Sequence, residues 1–542
     1  MEEFMDRIIT PIIVCIFLLV GCVSNPSDQR SKSNAQACLR INIGNDPATL
    51  DPRKSRSLSD RTLMNMLYEG LTRINREEKV EPALSQVIEV SSDLMTYTFY
   101  LRHANWTNGE VVKASDFAYS WEQILDPSFS SPNAFQLYPI KNAKAIKEGK
   151  LPFSALGIEV IDTYTLKVNL EQPTPYFLEM TAFPAFFPVC ESADRMREKT
   201  QEMGVSTPYC GPFCLQSWKH NDYLQVVKNP HYWDAASVKL QEIAMYMVKE
   251  ETEVRMFEKK QLDWVGSPLS NIPIDAIASF KKDKALQSKS MLGTYFLRLN
   301  TKNAILENVN IRKAMAIALD RQAMIQHVLQ GEQSPATGLV PISMGLQRNA
   351  YFQDHDVEEA KSLFTKGLVE LGIGIQDLPN LVLVFPSGEK NHVLSQAIQQ
   401  EWLRVLGWKI SIQSVERKIY FDRLSHHDYD IAAGSWIADF NDPINFLEIF
   451  KYRSTSTNNT LWENTRYISM LDESSAQSDP EARRLLLAQS EDLLMKEMPI
   501  IPIFHYNMLF AKHDYLKEMV ISSMGNLDFK WAYLENAEKQ VN

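Results

Sequence analysis

"HVLSQAIQQEWLRVLGWKISIQSV", residues 392–415, changes character at a single residue. As far as Leu406 it reads as a helix. Gly407 reads as its C-cap, since a residue without Cβ enters the left-handed region at no steric cost. From Trp408 onward the chain reads as a strand. A helix that stops on glycine and passes directly into a strand is a building unit of α/β folds. The same alternation recurs along the chain. "NVNIRKAMAIALDRQAMIQHVL", residues 308–329, is the clearest helix: Ile311, Ala314, Met315, Ala318 and Leu319 fall at i, i+3, i+4, i+7 and i+8. "ASDFAYSWEQIL" (114–125) reads as a helix with Ser115 as its cap. It lies between two strand patterns, "MTYTFYLR" with Tyr97, Phe99 and Leu101 on one face, and "TYTLKVNL" with Leu166, Val168 and Leu170. "CLRINIGNDPATLDP", from Cys38, alternates Leu39, Ile41 and Ile43 with polar residues before turn formers. No internal repeat stands out, and the fold class expected is α/β.

At 542 residues the chain exceeds one compact core, so two or more lobes are expected. Hydrophobic residues make up 45% and charged residues 23%, as in an ordinary globular protein. The net charge of -11 and the dispersed Lys and Arg argue against a nucleic-acid surface, which needs a basic stripe. The N-terminus is more specific. "IITPIIVCIFLLV", residues 8–20, has the length of a signal-peptide core and falls short of the ~20 residues of a spanning helix. It runs into "LVGC", which resembles the bacterial lipobox, with Cys22 as the acylated residue. The leading "MEEFMDR" is acidic where a positive segment is usual, and a start at Met5 would remove two of its acids. Residues 1–22 are thus expected to be a lipoprotein signal peptide ending at the lipobox, and the polar residues 23–37 a tether. The expectation is an exported protein held at a membrane by lipid. Among the remaining cysteines, Cys38, Cys190, Cys210 and Cys214, disulfides are permitted, and "CGPFC" has the spacing of neither a redox nor a zinc motif.

"GSWIADFNDP", residues 434–443, sets Trp436 three residues ahead of Asp439, with no catalytic partner nearby. Together with "WTNGEVVKASDF", "NPHYWDAASVKL", "RKAMAIALDR" and "MPIIPIFHYN", it closely resembles the oligopeptide-binding proteins of ABC importers, the peptide and nickel class of extracellular solute-binding proteins. The match runs from about Cys38 to the C-terminus. The resemblance implies a two-lobed periplasmic-binding-protein fold (class II type) with an extra domain in the first lobe. Lobe I would combine residues 38–68, 193–291 and 506–542, with the extra domain at 69–192 and lobe II at 292–505. It further implies that Asp439 pairs with a peptide's α-ammonium and that Trp436 belongs to the same cleft wall. That is physically sensible, because a receptor tolerant of side chains must grip an amine and a backbone that pairs like a strand. Ser435 and Ile437 on the same strand, and Ser57 and Leu58 on the opposite lobe, are the implied backbone-pairing residues, followed by Gly266, Ser267, His505 and Tyr506. The competing reading makes Asp439 a helix cap near Pro443; Asp442 suits that role better.

Departures from the family pattern concern cations. Ala433 and Leu424 stand where oligopeptide binders carry arginines, whereas Arg417 replaces a cleft Trp and Arg56 replaces an acid. Arg417, with Arg56, His426 or His427, is therefore a candidate partner for a ligand carboxylate, against the alternative of solvated surface charges. Nucleophile-elbow, zincin, phosphate-loop and complete dinucleotide motifs are missing from the sequence, so an enzyme is not expected. "SHHD" (425–428) lacks the further partners a metal site needs, and no metal or cofactor is expected. The expected partners are short peptides, an ABC permease with its ATPase subunits and a lipid bilayer through Cys22, with the protein a periplasmic-side monomer of the bacterial envelope. Cell-wall (murein) peptides as ligands, or a sensing or adhesion role, are the alternatives.

Overall fold

The computed structural model describes residues 38–55, 57–197, 202–346, 349–455 and 457–535. The expected signal peptide with its lipobox Cys22, the expected tether and Arg56 lie outside the described residues. Three sheets organise the chain. Strands Cys38–Asn42, Glu242–Tyr246, Tyr223–Lys228 and Phe213–Lys219 form the first, with the opening pair parallel. Ser85–Val90, Thr96–Leu101, Thr165–Asn169 and Ile158–Asp162 form an antiparallel sheet of their own. The largest sheet has seven strands, six of them in the order Trp264–Gly266, Ile500–Lys512, Gln287–Leu299, Ile431–Ile437, Val382–Pro386 and Ser411–Val415.

Local patterns account for much of this. Tyr97, Phe99 and Leu101 are all buried, as are Leu166, Val168 and Leu170, so the inserted sheet keeps one apolar face. The helix Glu389–Leu406 ends on Gly407 at φ +69°, ahead of the strand Ser411–Val415. Two expectations need correction. Ser115 does not cap its helix; the helix begins at Ala114, and Asp116 accepts the Lys113 N–H at 2.9 Å, which leaves Ser115 in the first turn. The pattern at 308–329 is not one helix either. Val309–Ile317 is α-helical, and the chain then breaks because the Asp320 carboxylate accepts the Ala323 N–H at 2.8 Å and restarts a separate turn. The five periodic residues are nevertheless all fully buried in the second lobe's core, around Trp402. Cys38, Cys190, Cys210 and Cys214 are all free thiols. No helix among the described residues is long and apolar enough to cross a membrane.

Two adjacent strands of 13 residues each, Gln287–Leu299 and Ile500–Lys512, carry the chain between the lobes. Their antiparallel register breaks between Ser290 and Thr294. Inside that break the Leu292 N–H donates to Ser523 O at 2.8 Å, while its carbonyl accepts the Ala438 N–H at 2.8 Å. Leu292 is thus bonded to the C-terminal segment on one side and to the end of the Ile431–Ile437 strand on the other. The proposed boundaries 291/292 and 505/506 fall inside these two strands.

Candidate functional site

The strand Ile431–Ile437 is paired along its whole length on one side and hardly at all on the other. Gln287–Leu299 pairs with it from Ile431 to Ile437, whereas Val382–Pro386 reaches only Ile431 and Ala432. Hydrogen bonds from Asn300 N–H to Asp430 O and from Ala438 N–H to Leu292 O set which residues point which way. In an antiparallel pair the direction alternates, so Ala432, Gly434 and Trp436 face the Gln287–Leu299 strand. Ala433, Ser435 and Ile437 turn their N–H and C=O groups toward the open side. The Ala433 carbonyl is taken by the Tyr420 hydroxyl. Ser435 and Ile437 therefore present free main-chain groups on an unprotected strand edge, and Ile437 is 43% exposed.

Asp439 lies just beyond this edge. Asn445 Oδ1 accepts both the Trp436 indole N–H at 2.8 Å and the Asp439 backbone N–H at 3.1 Å, which fixes the turn that carries the carboxylate. Among the described residues the Asp439 carboxylate itself accepts no hydrogen bond and forms no ion pair. Burial raises its pKa above the usual aspartate value, and the Arg61 guanidinium opposite pulls it back in part. Asp442, by contrast, is fully committed. It takes both Arg483 nitrogens at 2.7 and 2.9 Å and accepts the Ile444 N–H at 2.9 Å, which is the cap role that the sequence assigned to it.

Trp436 and Asp439 line a cavity of about 880 Å³ between the inserted sheet's helical side and the second lobe. Tyr176 and Phe440, both in its wall, stack on each other with ring centroids 4.2 Å apart. Glu171 and Glu448 also line it, against one cation, Lys144. Burial raises the Glu448 carboxyl, which Lys451 partly offsets.

The other predicted residues divide. Tyr506 is brought to the site: it lies near Ser435, and the ring crosses the intervening strand at Gly293, where a Cβ would lie 3.0 Å from Tyr506 Cδ2. Ser57 is exposed and caps the helix Leu58–Leu67, accepting the Asp60 N–H at 3.0 Å. Leu58 packs on Gly525. The same helix contributes Arg61 one turn later, with its guanidinium 5.0 Å from the Phe183 ring. His505 is buried at 5% exposure, and desolvation lowers its pKa to about 4. The Thr294 hydroxyl donates to Leu339 O, so it accepts from His505 Nδ1–H at 2.9 Å; Nε2 is left bare and without a partner.

Three expectations fare worse. Gly266 N–H serves Glu253 and Ser270 and its carbonyl accepts from Trp264 and Ser270, while Ser267 N–H is taken by Leu509 O. Gly266 therefore has no main-chain group, and Ser267 no N–H, left for a ligand in this arrangement. Arg417 stands exposed at the start of its helix, 5.8 Å from the Phe421 ring, and does not line the cavity. His426 bonds back to Asp422 O and His427 faces Asn459 O, and neither lines the cavity. The sequence reading missed Asn445, Tyr176, Phe183 and Arg61. The one available signal was the spacing of Arg61 four residues after the capping Ser57.

Comparisons with known proteins agree with this architecture. The model of the bacterial extracellular solute-binding proteins, family 5 Middle, matches residues 79–458. The oligopeptide-binding protein OppA of Bacillus subtilis is 36% identical over 539 residues, covering 97% of this chain and 99% of its own. The dipeptide-binding protein DppE of the same organism is 32% identical, covering 95% and 96%. Among solved structures, the unliganded open form of the periplasmic murein tripeptide-binding protein MppA superposes with a TM-score of 0.81 at 28% identity, over 92% of this chain and 97% of that one.

Proposed function

The chain belongs to the bacterial extracellular solute-binding proteins of family 5, and from that membership we propose that it captures short peptides between its lobes and delivers them to an ABC permease. The observation that carries this reading is the open strand edge at Ser435 and Ile437, which runs into the uncommitted Asp439 carboxylate on a cavity of about 880 Å³. A peptide of any sequence supplies what both features lack, an ammonium for the carboxylate and a strand for the edge. Side chains would occupy the cavity, where bridging waters satisfy them without selecting one sequence. Closing the lobes would desolvate the Asp439–ammonium pair and strengthen it. The relatives named for oligopeptide and dipeptide binding support the ligand class.

In this reading no residue acts as a catalyst. The protein sits on the outer side of a bacterial membrane, anchored by acylated Cys22. A second reading, capture of cell-wall peptides, draws support from the murein tripeptide-binding relative. Native mass spectrometry of the purified protein, before and after denaturing and refolding, separates the outcomes. A heterogeneous set of adducts of about two to five residues, lost on refolding and weakened by Asp439→Ala, supports a peptide receptor. A single adduct of murein-peptide mass favours the second reading. No adduct and no binding from a peptide library sinks both and leaves a sensing or adhesion role.

A further inference from the structure

Arg298 pairs in register with Ala432, and its side chain is buried at 7% exposure. The guanidinium crosses over Gly434. A Cβ at that position would lie 1.6 Å from Arg298 Nη1, so the group fills the space of a missing side chain on the face that carries Trp436. Arg298 forms no ion pair among the described residues, and its Nε has no hydrogen-bond partner. Its polar neighbour is the Tyr420 hydroxyl, whose own proton goes to Ala433 O. The guanidinium also lies 4.9 Å from the Phe296 ring, with the phenols of Tyr295 and Tyr429 nearby.

The other buried arginines are treated differently. Arg53 has Asp51 and Asp194, Arg73 has Glu69 and Asp528, and Arg321 has Asp354. Arg312 donates to four main-chain carbonyls. A buried cation without an anion is unfavourable until an anion arrives. Arg298 is also placed where one would arrive, because Tyr420 and Ala433 mark the closed end of the strand edge that opens at Ser435.

We propose that Arg298 receives a carboxylate of the bound peptide, at the end of the open edge opposite Asp439, and that this spacing suits peptides of about three or four residues. Gly434 and Asp439 are five positions apart, with the strand ending at Ile437, so they lie at most ~16 Å apart at ~3.3 Å per extended residue. Four extended residues, with one ionic contact at each end, fill that span. The inference rests on the peptide reading above, and it places the displaced cation at Arg298 instead of Arg417.

The test is calorimetric titration with tetraalanine, tetraalanine amide and Ala-Ala-Ala-Glu amide. The free acid should bind the unmodified protein about 30-fold or more tighter than the amide. Arg298→Met should bring that ratio close to one, and so should Gly434→Ala, which displaces the guanidinium without removing it. Recovery of affinity by the Glu-containing amide would assign the contact to a side-chain carboxylate; continued weakness would assign it to the C-terminus. Equal binding of acid and amide, with Asp439→Ala abolishing both, overturns the Arg298 inference and leaves the peptide reading standing. An intact ratio in both folded variants also overturns it. No binding of any peptide by the unmodified protein overturns both.

Discussion

Arg73 and Arg298 are both buried guanidinium groups, and their surroundings are opposite. Arg73 holds Glu69 and, at 2.8 Å, Asp528; Glu69 in turn accepts from Tyr232 at 2.7 Å and from the Trp233 indole. That cluster ties residues near 70, 232 and 528 into one joint, with its charges matched from within. By contrast Arg298, buried behind Gly434, and Asp439, on the cavity wall, stand unmatched near the two ends of one strand edge. The chain has the means to satisfy buried charges and does so elsewhere, with carboxylates or, at Arg312, with main-chain carbonyls. Where it leaves them unpaired beside free main-chain groups, the proposed partner is a molecule from outside.

Substitutions can break this contrast. Arg73→Met strands Glu69 and Asp528, so it should cost about 3–5 kcal/mol in a urea-unfolding measurement. Peptide preference should be unaltered in whatever fraction remains folded. Asp439→Ala should do the reverse. Peptide affinity should fall by about 2–5 kcal/mol in titration, while the unfolding midpoint stays level or rises, since the removed carboxylate is partly desolvated and unpaired. A large loss of stability in Asp439→Ala would contradict its assignment as an uncommitted group. Asn445→Ala removes the acceptor shared by Trp436 and Asp439 N–H, and should weaken peptide binding by about 1–3 kcal/mol.

Acidity sharpens the same point. Burial raises the Asp439 pKa, so protonation begins at a higher pH than for an ordinary aspartate. Only the ionised form attracts an ammonium. Affinity should therefore be full above the raised pKa and fall, by up to about tenfold per pH unit, as pH drops through it. In Asp439→Asn that dependence should flatten. The smallest effect belongs to Arg417→Ala, which should move both stability and affinity by less than about 0.5 kcal/mol. A larger loss of affinity would restore Arg417 as a ligand contact.

How much could be read in advance depends on how local each signal is. The buried faces of Thr96–Leu101 and Thr165–Asn169 are set by alternation within each strand, and Gly407 ends its helix by its own backbone freedom. Asp442 was legible as a cap because its contact to Ile444 N–H spans two residues. The break after Ile317 was missed because apolar spacing continues through Leu319, while a cap at Asp320 overrides it. Arg298 was out of reach for a different reason. Its meaning depends on the register that sets it beside Ala432 and on the empty Cβ position of Gly434, neither of which exists in one dimension. The open edge is likewise a statement about a neighbouring strand that stops pairing after Ala432.

The break at Leu292 carries a mechanical consequence. If the lobes turn about the two long strands, the axle runs past Leu292, which is bonded to Ser523 on one side and Ala438 on the other. Displacement grows with distance from an axle. Ile437, paired directly to Gly293, sits close to the pivot and is carried through a short arc. The far wall of the cavity, around Phe135 and Lys144, sweeps a longer one. In the proposed mode of binding, that motion would place backbone recognition at its still point and side-chain accommodation at its rim, so one jaw would shut on residues of different bulk without losing its grip on the main chain.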